Sequence, residues 1–376
     1  PGNTVDWTSY YGIIGNINLL IEKAEQFTFS NEVTKKRILA EAYTMRAAMY
    51  FLLARVWGDV PLVIESVKDE KAPLYARAPV SDIFKQINAD LSKALSFYPE
   101  ETYLNKNKWS KPAANALLAD VKMWSATVLK GGATDFNAAI AAITTVESSG
   151  NTLESTYGNV FDNRKNNEII FSLFLNRSEY SSNGINFGIP RNDISGSATN
   201  AADLPLSLIG QAGYVLSPKA LALFAANPTD KRIPRTYIAE MNGTVVRFYW
   251  PNKFRGTKYA DDRVPDNDFI IYRLSDLLLL KAEAYAALDQ SANAVASLNK
   301  VRTRAGIPDY VFTSTSELQK EILNERGREL FHEYKRWYDL MRANAIGVID
   351  IKTFVPNYAG KTTPLNWAVH TNVLAK

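Results

Sequence analysis

The segment ERGRELFHEYKRWYDLMR, residues 325–342, holds the side chains whose types and spacing come nearest to acid–base or metal chemistry. We refer to it as the charged segment. Glu329 and His332 have the Glu-x-x-His spacing that di-iron helix bundles use in two copies, together with two further glutamates. The chain has only two histidines, and the other, His370, lies in a tail without clear periodicity. A second copy of the motif and a zinc site with three histidines are therefore excluded.

Other catalytic signatures are missing from the sequence. A Ser-His-Asp triad would need His332 or His370, and neither lies near a Gly-x-Ser-x-Gly motif, which the chain lacks. The sequence has no phosphate-binding loop and no dinucleotide fingerprint. The count of zero cysteines excludes disulfides and thiol chemistry. A glycosidase remains an alternative, because any two of 39 acidic residues could converge. We predict no catalytic residue, no metal ligand and no cofactor.

The charged segment is better explained as a structural element. Leu330, Tyr334, Trp337 and Met341 recur at the spacing of a buried helix face, so the sequence predicts one continuous helix. Oppositely charged residues also lie three apart, at 326 and 329 and again at 333 and 336. Glutamates four apart would repel one another unless arginines from neighbouring helices lay between them. We predict an ion-pair network that fastens this helix, formed by Glu325, Glu329, Glu333, Arg336 and Asp339.

Helical periodicity occupies the two ends of the chain. The predicted helices are 7–27, 34–57, 81–99, 110–132, 135–150, 273–288, 291–306 and one from 315 into the charged segment. The residues between about 150 and 268 are rich in Gly, Asn, Ser and Pro. They contain only short pieces that favour strands, such as EIIFSLFL and TVVRFYW. The chain therefore alternates helical parts with a loop-rich middle.

One helix pair has the spacing of a tetratricopeptide repeat. Ala282 and Tyr285 lie on its first helix, Ala294 and Leu298 on its second, and Pro308 follows. Packing of an ordinary helical hairpin explains the same residues equally well. The predicted fold class is mainly α, with tetratricopeptide-like hairpins, mainly in 7–149 and 271–342, and a loop-rich cap containing short strands over 150–268. We expect residues 1–376 to form a single domain.

Composition narrows the possible partners. The net charge is +4 without a dense basic run, so nucleic acid is not a predicted partner. No apolar stretch approaches the roughly 20 residues that span a bilayer. The chain opens with PGNTVDWTSYYG, without Met or a signal peptide, which suggests a trimmed mature form. Any membrane anchor would then lie in a leader that this chain lacks.

Three ordered blocks of the sequence resemble the SusD/RagB family. The charged segment matches its C-terminal pattern ERxxELxxExxRWxDLxR, and residues 273–308 resemble its central block, including LNKVRxRAGIP. Residues 46–62, RAxxYFxLxRxWGDVPL, are similar to its first long helix and the turn that follows. Two family features are missing, the lipid-modified cysteine at the start and the Asn-Pro and Gly-Tyr pairs near the C-terminus.

This resemblance implies a mostly helical fold with four tetratricopeptide-like hairpins and a non-catalytic role. Members of the family are lipid-anchored proteins on the outer-membrane surface that bind glycans and cap a SusC-type TonB-dependent transporter. The expected partners are therefore a glycan and such a transporter. Contact with the membrane would occur only through an N-terminal lipid anchor that this chain does not include. A tetratricopeptide scaffold that grips a partner protein is the second alternative, besides a glycosidase.

Glycan-contacting residues must be nominated from chemistry, because the resemblance does not transfer them. Sugars present apolar C–H faces ringed with hydroxyls, so a binding site combines exposed aromatic rings with polar side chains. The N-terminal helix, the polar loop at 177–200 and the stretch 249–261 offer such combinations. The predicted ligand-binding residues are Trp7, Tyr10, Arg191, Tyr249, Trp250, Asn252, Arg255 and Tyr259. Burial of Trp7 in the first helix, or of alternate residues of RFYW in a strand, would explain these aromatics instead.

Overall fold

Helices make up most of the regular structure in a computed structural model, which describes residues 6–67, 75–178, 187–362 and 364–369. Every described strand is at most 7 residues long. The mainly α fold class with short strands is thereby confirmed. The chain divides into two units, Pro1–Lys122 with Asp350–Lys376, and Met123–Ile349. The single domain expected over residues 1–376 stays a prediction. His370 and residues 179–186 of the polar loop lie outside the described residues.

Four helices begin in the first unit: α1 (Thr8–Gln26), α2 (Glu32–Trp57), α3 (Val80–Phe97) and α4 (Lys111–Thr127). Two short strands, β1 (Val60–Pro61) and β2 (Arg77–Ala78), pair antiparallel. A short helix, Ile351–Phe354, and a 3-10 turn, Pro356–Tyr358, follow near the C-terminus. α2 packs against both α1 and α3. The buried residues of this contact include Ile17, Ile21, Leu39, Tyr43 and Ala94.

The limits of α2 follow from its flanking residues. The Asn31 side chain accepts hydrogen bonds from the backbone N–H groups of Val33 and Thr34, at 2.9 and 3.3 Å, and so caps the helix start. Gly58 ends the helix at φ 77°, a conformation that glycine adopts without a steric cost. Between these ends, Arg46 donates to both carboxylate oxygens of Asp90 in α3, at 2.8 and 2.7 Å. This buried pair fixes α2 against α3.

The second unit joins a loop-rich part to a helical part. Its helices are α5 (Gly132–Glu147), α6 (Asn159–Asp162), α7 (Asn192–Ser195), α8 (Pro218–Ala225), α9 (Ile233–Thr236), α10 (Leu274–Ala287), α11 (Ser291–Ala305), α12 (Thr315–Glu329) and α13 (Arg336–Ala345). Its strands are β3 (Ile169–Leu173), β4 (Tyr237–Asn242), β5 (Val245–Pro251), β6 (Thr257–Lys258), β7 (Arg263–Val264) and β8 (Phe269–Arg273). They form three antiparallel pairs, β3 with β8, β4 with β5 and β6 with β7.

The α10–α11 hairpin has the small residues that its sequence spacing predicted. Ala282, Ala294 and Leu298 are completely buried, and Tyr285 packs against their cluster. Because the alanine side chains are small, α10 and α11 can approach each other closely. The hairpin ends at Gly306, whose φ of 71° is the left-handed conformation common after a helix. α10 also packs against α5 and α12, and Leu318 and Ile322 of α12 belong to the same buried cluster as the α10–α11 hairpin.

The charged segment does not form the continuous helix that its periodicity predicted. α12 ends at Glu329 and α13 begins at Arg336, and between them His332 and Tyr334 have φ angles of 61° and 59°. Tyr334 is 47% exposed, so it does not belong to a buried face with Leu330 and Met341. Arg326 does not pair with Glu329, the acidic residue three positions along the segment. Arg326 instead lies 2.8 Å from the carboxylates of Asp276 and Asp339.

Candidate functional site

Glu329 lies at the centre of a buried ion-pair core in the second unit. Its carboxylate lies 2.8 Å from Arg232 and 2.5 Å from Arg273, and it also pairs with Arg304. The Tyr157 hydroxyl donates to the Glu329 carbonyl at 2.8 Å. Burial raises the pKa of Glu329, but the three guanidinium charges outweigh burial and hold the pKa well below its ordinary value. This carboxylate is fully buried and ionised, so it cannot act as a general acid.

The neighbouring glutamates complete this core. Glu325 lies 2.6 Å from Arg232 and 2.7 Å from Arg328. Glu333 accepts from Arg273 at 2.8 Å and from Lys253 at 2.7 Å. Burial lowers the pKa of the completely enclosed Lys253 to about 8. The carboxylates of α12 and the following turn therefore meet cations from distant parts of the chain.

The outer members of the predicted network have different partners. Asp339 in α13 lies 2.8 Å from Arg326 and 2.8 Å from Arg342, within a buried cluster. Arg336 donates to the Leu323 carbonyl at 2.7 Å. All five residues of the predicted network thus contact groups within the second unit. Their structural role stays a prediction, which the unfolding experiment in the Discussion tests.

An open cleft lies beside the turn of the β6–β7 hairpin. Thr257 pairs with Val264 and Lys258 with Arg263, and the backbone N–H of Tyr259 donates to the Asp262 carbonyl at 2.8 Å. The cleft has a volume of about 270 Å³. Its lining combines alanines and leucines, such as Leu204, with one tyrosine and polar side chains, among them Asn192, Lys258, Tyr259, Asp262 and Arg263.

Tyr259 is held in place by its neighbours while its ring stays partly exposed. Its hydroxyl donates to Asp266 at 2.6 Å, and this hydrogen bond is the main cause of its raised pKa. The Arg177 guanidinium lies 4.5 Å from the ring centroid and pairs with Asp261. The Tyr259 ring therefore has a fixed orientation beside the cleft, with Arg177 over one of its faces.

The rim of the cleft offers hydrogen-bonding groups of both kinds. Asn192 and Lys258 are exposed. The Asp262 carboxylate accepts from the Leu208 backbone at 3.0 Å, and Arg263 donates to the Gly256 carbonyl at 3.1 Å. These internal bonds fix the positions of the carboxylate and the guanidinium. The cleft can therefore bind a polyhydroxylated ligand through donors, acceptors and one ring.

Gly256 is required for the hairpin that presents this cleft. Its φ is 70°, and a Cβ atom there would lie 2.3 Å from the Val264 carbonyl oxygen. We expect Gly256→Ala to lower the free energy of unfolding by more than about 1 kcal/mol, because alanine disfavours this backbone conformation and collides with β7. Urea denaturation measures the change. Gly243→Ala is the matched control, since φ there is 59° with nothing near the added methyl. Equal losses in both variants would contradict the role of the collision.

The structure places three of the predicted ligand-binding residues at or beside the cleft. Tyr259 lines it. Arg191 is exposed, precedes the lining residue Asn192, and donates to Asp193 at 2.9 Å. Arg255 is partly buried and donates to the Asp203 carbonyl at 2.7 Å.

The exposure expected of Trp250 and Asn252 is wrong. Trp250 is 2% exposed, and its indole N–H donates to the buried carboxylate of Glu240 at 2.7 Å. Asn252 is 3% exposed and donates to the Pro234 carbonyl at 2.8 Å. Tyr249 is partly exposed. The residues of β5 become buried only at its end, at Trp250 and Pro251, so Trp250 cannot serve as a platform.

Trp7 is also buried, contrary to the expectation of an exposed platform. It is 6% exposed, and its ring lies 5.8 Å from that of Trp57 in an edge-to-face arrangement. Tyr10 is partly exposed and lies 6.0 Å from the same tryptophan. Both residues belong to the first unit, whereas the cleft belongs to the second. Trp7 is therefore a core residue of its unit.

Sequence reasoning missed Lys258, Asp262 and Arg263, all of which line the cleft. The stretch RGTKYADDRV contains the signal that could have identified them. A glycine followed by two short strand-forming pieces around a polar turn is the pattern of a hairpin with a four-residue loop. Reading the hairpin would have placed these side chains around Tyr259.

Neither a group of metal-ligating side chains nor a membrane-spanning helix occurs among the described residues. Among them, no three His, Cys, Asp or Glu side chains are grouped so that they could hold a metal ion. None of their helices combines the length and the apolar character required to cross a bilayer.

Two family models match this sequence. The model of the SusD family matches residues 227–366, and a model described as starch-binding associating with outer membrane matches residues 2–123. A SusD-like protein of Formosa agariphila, P38, is 26% identical over 90% of this chain and 72% of its own length. A SusD-like protein of Bacteroides ovatus is 25% identical over 89% of this chain and 64% of its own length.

Solved structures share this fold. NanU of B. fragilis superposes with a TM-score of 0.82 at 26% identity, covering 98% of this chain and 82% of its own. A laminarin binding SusD-like protein superposes with a TM-score of 0.76 at 23% identity, covering 96% of this chain and 80% of its own.

Proposed function

The chain belongs to the SusD/RagB family, and on this premise we propose that it binds glycans at the cell surface without chemically altering them. The observation that carries the proposal is the cleft beside Tyr259, where a fixed aromatic ring meets Asn192, Lys258 and Asp262. A sugar ring can place its C–H face on the tyrosine and its hydroxyls against the polar groups. The volume of about 270 Å³ is near the lower end of ordinary ligand clefts, about 300 Å³.

Two comparisons support a glycan as the ligand. One matching family model is described as starch-binding, and one structural neighbour is described as laminarin binding. We infer a similar ligand class for this chain, with the particular glycan set by the cleft residues. Arg191 and Arg255 are proposed as contributors at the edge of the cleft, and Tyr10 and Tyr249 as weaker candidates outside it.

The family models also support a proposal for the cellular location of the protein. The family model that matches residues 2–123 is described as associating with the outer membrane. We propose that the mature protein is held at the outer-membrane surface by an N-terminal lipid anchor and delivers glycan to a SusC-type TonB-dependent transporter. This part of the proposal rests on family membership. Co-purification with such a transporter from the source membrane tests it.

Glycan binding is tested first with a glycan array and then by calorimetry. We expect Tyr259→Ala to weaken the affinity severalfold to about tenfold, since an aromatic contact contributes about 0.5–1.5 kcal/mol beyond area burial. Stability should remain nearly unchanged, because this ring is partly exposed. Tyr103→Ala is the matched control. Tyr103 belongs to the first unit, and the Lys106 ammonium lies 4.9 Å from its ring centroid, as the Arg177 guanidinium lies over Tyr259.

The alternatives give different results in the same experiment. A glycosidase would release shorter sugars from the bound glycan, and a tetratricopeptide scaffold would show no glycan affinity. An unchanged affinity of Tyr259→Ala would refute this cleft as the site and leave family membership intact.

A further inference from the structure

A continuous band of rings runs across the surface of the second unit. We call Phe187, Tyr214, His332, Tyr334 and Phe269 the aromatic band. Successive ring centroids lie 6.3, 5.4, 6.0 and 5.4 Å apart in that order. Three of these side chains are well exposed, Phe187 by 46%, Tyr214 by 37% and Tyr334 by 47%. Isolated exposed aromatics are common, but contiguous ones usually mark an interaction surface.

The turn between α12 and α13 carries two rings of the band in a strained conformation. His332 and Tyr334 have φ angles of 61° and 59°, in the left-handed region that residues other than glycine rarely adopt. Glu333 between them is buried and accepts from Arg273 and Lys253 at 2.7–2.8 Å. The ion-pair core therefore fixes the turn so that the Tyr334 ring is exposed while the His332 ring stays largely enclosed beside it. Strain of this kind is characteristic of ligand-binding positions.

The other rings are fixed by hydrogen bonds and by a close backbone approach. The Tyr214 hydroxyl lies 2.7 Å from Nε2 of His332, and the Phe187 and Tyr214 ring planes differ by only 12°. The backbone N–H of Gly213 donates to the Phe187 carbonyl at 2.7 Å. A Cβ atom on Gly188 would lie 3.1 Å from both His332 and Tyr214. The rings are thus oriented before any ligand binds.

We propose that the aromatic band is a second carbohydrate-stacking surface, which takes the apolar face of a neutral sugar ring. The band shares no residue with the Tyr259 cleft. Its aromatic faces suit the C–H face of a pyranose, and its phenolic hydroxyls suit the sugar hydroxyls at the ring edge. A neutral ligand is favoured because the rings of the band carry no charge at neutral pH, since burial lowers the pKa of His332 to about 4. This inference rests on the proposed function.

Variants of the band test the inference by calorimetry with maltohexaose, laminarihexaose, cellohexaose and xylohexaose. We expect Tyr214→Ala and Tyr334→Gly each to weaken binding severalfold to about tenfold. Tyr334→Gly removes the ring and relieves the backbone strain together, so the protein should keep its melting temperature. Phe312→Ala is the control, since this ring is 43% exposed in the same unit but outside the band.

The outcomes separate this inference from the proposed function. If the unchanged protein binds none of these sugars, nor any glycan of the array, both fail. If Tyr259→Ala weakens binding while Tyr214→Ala and Tyr334→Gly do not, the band is assigned to a protein partner instead and the inference is overturned. If variants of both surfaces weaken binding, and the double variant Tyr214→Ala/Tyr259→Ala loses more affinity than either single variant, the result supports two sugar contacts.

Discussion

Glu329→Ala is expected to lower the free energy of unfolding by about 3–5 kcal/mol, the usual cost of removing one partner from a buried ion pair. The variant would leave Arg232, Arg273 and Arg304 with one carboxylate fewer in a water-excluded core. Urea denaturation and thermal melting measure the loss. Glycan affinity per folded molecule should not change, because Glu329 is fully buried and touches neither proposed surface.

Glu317→Ala is the matched control on the same helix. Its partner Lys320 is 2.9 Å away, and both side chains are about half exposed. Such exposed pairs contribute about 0–1 kcal/mol. If Glu329→Ala lowered the free energy of unfolding by only that amount, the ion-pair core would contribute no more stability than an exposed pair. Loss of binding at unchanged stability would place Glu329 in a ligand site.

Stability is expected to fall as the pH drops from about 6.5 to 4, and His332 should cause a separable part of the fall. Burial is the main reason that its pKa lies near 4, and the charge of Lys253 lowers it further while Glu333 raises it. Below pH 6.5 the unfolded chain binds a proton at this residue that the folded chain does not bind. Stability therefore decreases until the folded pKa is reached, by roughly 3 kcal/mol in total.

His332→Gln isolates this contribution, because glutamine can still hydrogen-bond to Tyr214 but does not titrate. Urea denaturation from pH 7 to 4 should show the variant losing less stability than the unchanged protein. Buried carboxylates with lowered pKa values, such as Glu333 and Glu325, contribute equally to both profiles. Parallel profiles would show that His332 has an ordinary pKa in the folded protein.

The sequence predicted the helices well because their signals are local. The apolar spacing of α1, α2, α10 and α11 lies within each segment, and the glycines that end α2 and α11 follow directly, so no tertiary information was needed. The alanines of the α10–α11 crossing were likewise identified by spacing alone. The family resemblance rested on the same blocks of sequence.

The parts that could not be predicted depend on long-range contacts. The charged segment has good helical periodicity, but Glu333 meets Arg273 and Lys253 only after the chain folds, and these partners break the helix. Trp250 was expected outside because its sequence neighbours are polar. Glu240, ten residues earlier, provides a buried acceptor for its indole, and sequence spacing did not reveal that pairing. The sequence identified Tyr259 as a candidate. It did not identify the lining residues around Tyr259, because their positions depend on the register of the β6–β7 hairpin.

The ion-pair core also constrains the order in which the second unit can fold. Glu168 and Arg273 are separated by 105 residues, and Arg232 and Glu329 by 97. Such distant partners must overcome a large loop-closure entropy before any of them gains stability, which makes folding slow. Since Glu329 follows Arg232, Arg273 and Arg304 in the chain, these arginines lack their shared carboxylate until α12 has been synthesised. The ion-pair core of the second unit therefore cannot assemble from its earlier segments alone.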